Sequence, residues 1–186
     1  EPPRQLLNAI MYGPLSILLS LCLSIPFRFI GLYPETITSL FDAVRTAFFG
    51  AAIPEEMAKL FCLWLVLRKN PYFDEKMDGI VYAVCVSLGF AAVENIMYLF
   101  SNAETFMLVG ITRALFAIPG HMFFGIMMGY YYSLAKFYPS SSMKNSVLVL
   151  LSPILAHGIY DYILMSMSSV SPNIIIVMWL LFLFFC

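Results

Sequence analysis

Residues 54–67 read PEEMAKLFCLWLVL, so three charged residues stand at the start of an otherwise apolar helical stretch. Each ionisable group at bilayer depth costs roughly 2.5 to 3.5 kcal/mol on insertion scales. Glu55 and Lys59 are four residues apart and can neutralise each other on one helix face, but that pairing leaves Glu56 without a partner. We therefore interpret the stretch as a functional site on a membrane helix, with a structural ion pair as the alternative.

The composition is that of an integral membrane protein. Of the 186 residues, 61% are hydrophobic and 11% are charged, and the mean hydropathy is +0.87. Soluble domains have about 45 to 50% apolar and about 25% charged residues. The net charge of -1 provides no basic surface for nucleic acid. The four cysteines lie in apolar segments without metal-binding or disulfide-framework spacing, so we interpret them as small core residues.

Apolar runs separated by polar, proline or glycine residues predict an all-α polytopic helical bundle of about six to seven transmembrane helices in one domain, residues 1–186. The runs lie at about 6–25, 39–67, 79–100, 104–118, 121–137, 146–167 and 173–186. The first run is too long for a signal peptide, so we expect it to be retained as a membrane span. Pro54 interrupts the second run, which predicts a break just before Glu55. Because residue 1 is not Met and the last run stops at Cys186, we expect the sequence to belong to a longer chain.

The basic residues predict the orientation, since Lys and Arg favour cytoplasmic loops. If runs 104–118 and 121–137 form one passage broken at Pro119-Gly120, all loop cations except Arg28 fall on one side, which we predict to be cytoplasmic. Two full crossings would remove this bias. A rise of about 1.5 Å per residue from the cytoplasmic helix ends then places the buried glutamates and histidines at depths of about 17 to 24 Å. We therefore predict one polar layer in the outer half of the bilayer of a multi-pass cell-membrane protein.

Polar residues inside the apolar runs are the candidates for chemistry, because buried ionisable groups concentrate at functional sites. The chain has only two histidines, His121 and His157, and both fall in the layer that contains three glutamates. His157 and Asp161 are one helical turn apart, so the carboxylate can fix the imidazole tautomer. The full candidate set is Glu55, Glu56, Lys59, Glu94, Asn95, Tyr98, Arg113, His121, His157 and Asp161.

Two members of this set also have structural interpretations. Glu94 is one helical turn from Tyr98, and a tyrosine hydroxyl often bonds a buried carboxylate. Arg113 can pair with a glutamate inside the bundle, or it can extend toward the membrane interface. The sequence leaves both alternatives open.

Three kinds of chemistry fit the candidate residues. A buried glutamate beside a histidine can activate water for attack on a carbonyl while a second group stabilises the oxyanion, which describes a glutamate-type hydrolase without a cofactor. A site for zinc or another divalent metal is the second alternative, with His121, His157, Glu56 and Glu94 as ligands, although no HExxH motif is present. A proton or ion pathway uses the same residue types, so a non-enzymatic transport protein is the third.

Four linked motifs carry a resemblance to a known family. They are EExxK at 55–59, DGIVY at 78–82 leading into GFAAVEN at 89–95, PGH at 119–121, and HxxxD at 157–161. The chain resembles the PrsW family of intramembrane proteases, which is related to the type II CAAX prenyl proteases and bacteriocin-processing enzymes. Those wider relatives have an Arg one position after Lys59, a Phe in place of Ala117 and an Asn in place of Asp161. These differences argue against the processing of prenylated proteins.

The resemblance covers about residues 50–165, which it identifies as the catalytic core. It implies cleavage of a single-span membrane protein near its outer membrane face, as in the release of a membrane-held anti-sigma factor. The implied partners are therefore a membrane-embedded protein substrate and the lipid bilayer.

The resemblance also implies roles for the catalytic residues. Glu55 resembles the general base, and His121 the group that positions the attacking water with it. His157 and Asp161 resemble an orienting pair on the oxyanion side. Glu56 completes the catalytic set in a supporting role with Lys59, and Glu94 and Asn95 are expected to line the same cavity.

Overall fold

The computed structural model describes residues 1–166, and every regular element within them is helical. Seven α-helices are accompanied by a π-helical segment, Thr46–Ala52, and by two short 3₁₀ turns. The α-helices are Pro3–Phe29 (α1), Leu40–Arg45 (α2), Ile53–Leu67 (α3), Lys76–Ser101 (α4), Phe106–Leu115 (α5), Ala117–Phe137 (α6) and Ser142–Met165 (α7). The predicted run at 173–186 lies outside the described residues.

The all-α polytopic class is confirmed, whereas the predicted number of spans is not. Four helical stretches among residues 1–166 are long and apolar enough to cross a membrane: Pro3–Phe29, Lys76–Ser101, Ala103–Phe137 and Pro139–Met165. Helix α3 has 15 residues. Its rise of about 22 Å is shorter than a hydrocarbon core of about 30 Å. Helices α2 and α5 are shorter than α3. The fold therefore combines long spanning stretches with helices that are too short to span a membrane alone.

The break between α5 and α6 lies at Phe116, before the predicted position at Pro119-Gly120. Phe116 has φ −122° and ψ −51°, outside the helical region. Pro119 instead occupies the first turn of α6, where a missing N–H is tolerated. In a continuous helix the proline ring would clash with the carbonyl four residues earlier, that of Leu115. The helix therefore ends at Leu115 and a new one begins at Ala117.

The chain remains helical through Pro54, although the sequence predicted a break there. The Ser39 hydroxyl caps α2 by accepting a hydrogen bond from the Asp42 N–H at 3.1 Å. The π-helical segment follows and ends directly before α3, with Pro54 in the first turn of that helix. A π-helical turn changes the backbone hydrogen-bond register, which accommodates a residue that has no N–H to donate. This arrangement places the two glutamates of α3 in its first turn.

Glycines allow the neighbours of the central helix α4 to approach it closely. A Cβ atom added to Gly13 of α1 would lie 2.2 Å from the backbone of Gly89. On the other side of α4, a Cβ atom on Gly129 of α6 would lie 2.3 Å from the carbonyl oxygen of Gly79. Neither position has room for a methyl group, so α1, α4 and α6 pack in backbone contact. This packing brings the polar side chains of α4 and α6 within bonding distance of each other.

One end of the bundle, called the basic end below, collects most of the loop cations. The Lys136 ammonium donates to the Phe73 carbonyl, and the Tyr82 hydroxyl donates to the Glu1 carboxylate. These contacts bring together the end of α6, the loop between α3 and α4, and the start of α1. The cations of the basic end are Arg4, Arg68, Lys69, Lys76, Lys136 and Lys144. That this end faces the cytoplasm stays a prediction.

Candidate functional site

A polar cavity of about 320 Å³ lies among α3, α4, α5, α6 and α7. Each of these five helices contributes a charged or imidazole side chain to its walls. These side chains are Glu55, Glu94, Arg113, His121, His157 and Asp161. The structure thus brings the residues of the predicted polar layer to one point, while the depth of that point in a membrane stays a prediction.

Glu56 is fully buried behind the cavity and orients one of the two histidines. Its Oε1 accepts hydrogen bonds from Lys59 Nζ at 2.8 Å and from His157 Nδ1 at 2.8 Å. Because a carboxylate can only accept, His157 has a proton on Nδ1. The sequence offered Asp161 as the partner that orients this ring, and Asp161 Oδ2 does lie 3.4 Å from Nε2, on the other side of the ring. Glu56 therefore keeps a proton on Nδ1 and orients the ring of His157.

Lys59 is fully buried and holds the second histidine. Its Nζ lies 3.0 Å from His121 Nδ1 and 4.0 Å from the centroid of the Phe90 ring. An ammonium group has only donors, so His121 Nδ1 accepts from it. The proton of His121 is then on Nε2, which donates to Glu94 Oε2 at 3.0 Å. This geometry corresponds to a neutral imidazole with both nitrogens hydrogen bonded.

Arg113 connects α5 to α4 at the edge of the cavity. Its Nη2 pairs with Glu94 Oε2, and its Nε donates to Asn95 Oδ1 at 2.5 Å. The guanidinium carbon lies 3.8 Å from the centroid of the Tyr98 ring. Of the two alternatives for Arg113, the structure shows pairing with a glutamate. The structural alternative for Glu94, a hydrogen bond from the Tyr98 hydroxyl, is not found among the described residues, where the Tyr98 ring packs against Arg113.

Glu55 has the least constrained carboxylate of the site. Its Oε2 lies 3.5 Å from Lys59 Nζ and 3.9 Å from His157 Nε2. That oxygen is buried and has no hydrogen-bond partner within residues 1–166. A buried acceptor without a partner is uncommon in a folded protein and often marks a place for a water, an ion or a substrate. Glu56 Oε2 also has no partner among the described residues, but Glu56 is 0% exposed and bonded twice through Oε1. Glu55, 14% exposed and in the cavity wall, is therefore the carboxylate most available for chemistry.

The geometry favours a metal-ligating set that differs from the predicted one. Glu55, His121 and His157 each provide one donor atom, and the three atoms lie within 4.8 Å of one another. Two histidines and a glutamate match zinc sites that keep an open position for water. Glu56 and Glu94, which were predicted as ligands, are already hydrogen bonded to cationic side chains. The three donor atoms could share a divalent ion, with Glu55 in the place of these two glutamates, if they drew together around it and His121 gave up its hydrogen bond to Lys59 or to Glu94.

Two aromatic residues that the sequence interpretation missed support the histidines. The Phe124 ring stacks on His157 with a centroid distance of 4.7 Å and an interplanar angle of 16°. The Phe90 ring lies 5.3 Å from the His121 ring and also contacts the ammonium of Lys59. The sequence does contain a signal for both. Phe124 follows His121 by three residues and Phe90 precedes Glu94 by four, so each ring lies on the same helix face as a site residue.

The structure therefore brings together the whole predicted catalytic set. Lys59, Glu94 and Asp161 lie in direct contact with this set, and Arg113 is joined to it through Glu94. Asn95 and Tyr98 both contact Arg113; Tyr98 lines the cavity, whereas Asn95, which was expected to line it, does not. The individual catalytic roles stay predictions.

The chain is similar over its whole length to one protein family. The model of the family described as PrsW family intramembrane metalloprotease matches residues 1–186. A protein named Protease PrsW from Oceanobacillus iheyensis is 40% identical over 141 residues, which are 74% of this chain and 64% of that protein. The protein of the same name from Clostridioides difficile is 42% identical over 127 residues, 67% of this chain and 53% of that protein.

A third relative, also named Protease PrsW, is from Bacillus subtilis. It is 36% identical over 155 residues, 83% of this chain and 70% of that protein. The chain thus spans 64% and 53% of the lengths of the first two relatives. No solved structure matches the chain.

Proposed function

Because the chain belongs to the PrsW family of intramembrane proteases, we propose that it hydrolyses a peptide bond of a single-span membrane protein within the bilayer. The observation that best supports this proposal is the carboxylate of Glu55, whose Oε2 has no hydrogen-bond partner among the described residues. It lines the same cavity as His121 and His157. A buried carboxylate with a free oxygen beside two imidazoles is placed to take a proton from water.

In the proposed reaction, water lies between the Glu55 carboxylate and the His121 ring, which are within 4.8 Å of each other. The Nε2–H of His121 turns from Glu94 to donate to this water. Glu55 takes a proton from this water, and the water oxygen forms a bond to the carbonyl carbon of the peptide. In this step His157 acts as an imidazolium: it donates from Nε2 to the developing oxyanion while its Nδ1–H stays hydrogen bonded to Glu56. The proton on Glu55 then passes to the amide nitrogen as the C–N bond breaks, which leaves a carboxylic acid and an amine.

A metal-dependent version of the same reaction is the second candidate, supported by the three donor atoms of Glu55, His121 and His157. A bound divalent ion such as zinc would polarise the water and the peptide carbonyl. Glu56 would orient His157 through Nδ1, the arrangement in which carboxylates commonly support metal-binding histidines. The cavity and its immediate neighbours contain four carboxylates and two fixed cations, so the charge of the cluster also suits a divalent ion.

The proposed substrate is a membrane-embedded protein such as an anti-sigma factor, cut near the outer face of the cell membrane. A helix with its side chains is about 10–12 Å across. The cavity of about 320 Å³ is too small for such a helix. We therefore expect the substrate to unwind around the cleaved bond, so that only an extended segment reaches Glu55.

Purified protein in liposomes is expected to cut a single-span substrate once, inside or at the edge of its membrane segment. Mass spectrometry of the two products gives the position of the cut. The His121→Ala variant should cleave about 100-fold more slowly, because the group that positions the water is removed. If the wild-type protein releases no product from a panel of single-span proteins, the proposal fails and the transport alternative is favoured.

Metal removal separates the two versions of the mechanism. If Glu55 acts as the base without an ion, protein that is dialysed against a chelator and shown by elemental analysis to be metal-free should keep its full rate. We expect this result. A stoichiometric ion in the purified protein, together with loss of cleavage on chelation and recovery on adding zinc, would contradict it and support the metal-dependent version.

A further inference from the structure

A second cavity, of about 980 Å³, lies at the basic end and is separate from the site described above. Its walls come from α3, the loop that follows it, the end of α6 and the start of α7. Along α3 it is lined by an apolar stripe, Met57, Phe61 and Trp64, which share one face of the helix. These side chains are 38%, 48% and 43% exposed. Helix α3 therefore directs Glu56 and Lys59 into the bundle and this apolar stripe away from it.

The mouth of this second cavity, called the groove below, is positively charged. Arg68, Lys69 and Lys136 line it, and no acidic residue does so within the described part of the chain. None of these three cations forms an ion pair with a carboxylate of residues 1–166. By contrast, Arg28 and Arg113 each pair with a glutamate. The groove thus combines apolar walls with an uncompensated positive charge at one end.

Two of the cations are held in place without being neutralised. The ammonium of Lys136 donates to the Phe73 carbonyl. The guanidinium of Arg68 lies 4.8 Å from the centroid of the Trp64 ring. Both cations keep further donors for an anion, because an ammonium has three N–H groups and a guanidinium has five.

The length of the groove matches one leaflet of a membrane. From Met57 to Arg68 the helix rises about 16 Å at about 1.5 Å per residue. Half of a hydrocarbon core of about 30 Å is about 15 Å. An acyl chain that lies along the apolar stripe would therefore place its headgroup at the cations.

We propose that this groove binds an anionic phospholipid, with the acyl chain against the apolar stripe and the phosphate between Arg68, Lys69 and Lys136. The side chains of Asn70 and Ser142 line the same cavity and can donate to headgroup oxygens. A soluble anion would leave the apolar stripe uncovered, and an apolar protein helix would leave the three cations without a counter-ion. An anionic lipid matches both parts of the groove, and anionic lipids are concentrated in the cytoplasmic leaflet.

Trp64 provides a direct readout of this binding. The chain has two tryptophans, so a Trp179→Phe background leaves Trp64 as the sole tryptophan, which is excited selectively at long wavelength. The protein is placed in phosphatidylcholine vesicles that contain a small fraction of lipid with brominated acyl chains, which quench tryptophan on contact. Brominated phosphatidylglycerol is expected to reach half-maximal quenching at about one tenth of the mole fraction that brominated phosphatidylcholine needs. Soluble glycerol phosphate should not reverse the quenching.

A matched pair of triple variants tests whether the named cations cause the preference. In the Arg68→Gln/Lys69→Gln/Lys136→Gln variant, both brominated lipids should quench Trp64 equally. Arg4→Gln/Lys76→Gln/Lys144→Gln removes the same charge from the same end outside the groove, and should keep the preference. Lys69→Glu, at an exposed side chain, should weaken the preference for phosphatidylglycerol on its own. This variant replaces the first triple variant in the test if that variant does not fold.

Three results would overturn the proposal. They are equal quenching of the wild-type protein by both lipids, a preference that survives in the Arg68→Gln/Lys69→Gln/Lys136→Gln variant, and no quenching by either lipid. The last result would mean that protein, either another part of the chain or a second copy, covers the groove. The fluorescence measurement needs no proteolysis, so its outcome is independent of the proposed reaction.

Discussion

Substituting Gln for Glu55 is expected to abolish peptide cleavage while the protein remains folded. Gln has nearly the same shape as Glu but cannot take a proton from water, so the rate should fall by about 10³- to 10⁴-fold. The fold should tolerate the change because Glu55 Oε2 makes no hydrogen bond within residues 1–166. Lys59 also keeps its closer partner, Glu56, at 2.8 Å. The measurement is the initial rate of product release in liposomes, with the helical signal and the melting temperature recorded on the same sample.

A matched control for this substitution is Glu104→Gln. Glu104 is exposed in the short turn Ala103–Thr105, so its loss removes one negative charge from the protein without touching the cavity. Its rate should stay within about twofold of wild type, as for surface substitutions in general. If Glu55→Gln retains near-full turnover, the assignment of Glu55 is wrong. If the metal-dependent version holds, Glu55→Gln should also lower the amount of ion that the purified protein retains.

The sequence was sufficient to predict which side chains form the site, but not which of them bond to each other. The distribution of loop cations indicates which helix ends share a side of the membrane, and helix rise can be counted from those ends along each helix separately. Together they predict that the glutamates and histidines lie in one layer. The partner of His157 illustrates the limit. Spacing of one helical turn suggested Asp161, which does lie 3.4 Å from Nε2, but it gave no sign of Glu56, the hydrogen-bond partner of Nδ1 from 101 residues away in sequence. A contact between two helices depends on their rotation and approach, which periodicity along one helix does not contain.

The helix boundaries show a similar limit. The run at 39–67 was predicted to break just before Glu55, yet it stays helical there and divides into a short α-helix, a π-helical segment and a 15-residue helix. The break near Pro119 was predictable, but its position at Phe116 was not. A proline acts on the carbonyl four residues before it as well as on its own N–H, and the chain can relieve that clash at several positions. Backbone contact at Gly89 and Gly129 also limits how the surrounding helices can be placed.

The Lys59→Met variant is expected to lose about 3–5 kcal/mol of its free energy of unfolding. Removing one partner of a buried ion pair leaves the other charge uncompensated, and that penalty exceeds the net contribution of the pair itself. Lys59 and Glu56 are both 0% exposed, and their charged atoms are 2.8 Å apart. The Lys59 ammonium also lies 3.5 Å from Glu55 Oε2 and 3.0 Å from His121 Nδ1. Its loss therefore leaves two carboxylates close together without a fixed cation.

A double variant distinguishes charge from packing as the cause. In Lys59→Met/Glu56→Gln both charges are absent, and the Gln oxygen can still accept from His157 Nδ1. If uncompensated charge causes the loss, most of the stability should return in this variant. Unfolding in detergent, followed by circular dichroism, measures this, with Lys144→Met at an exposed position as the control. A double variant as unstable as Lys59→Met would instead show that the lysine contributes through its contact with Phe90. Recovered stability without recovered cleavage would mean that the charge of Lys59 or Glu56 is itself needed for the reaction.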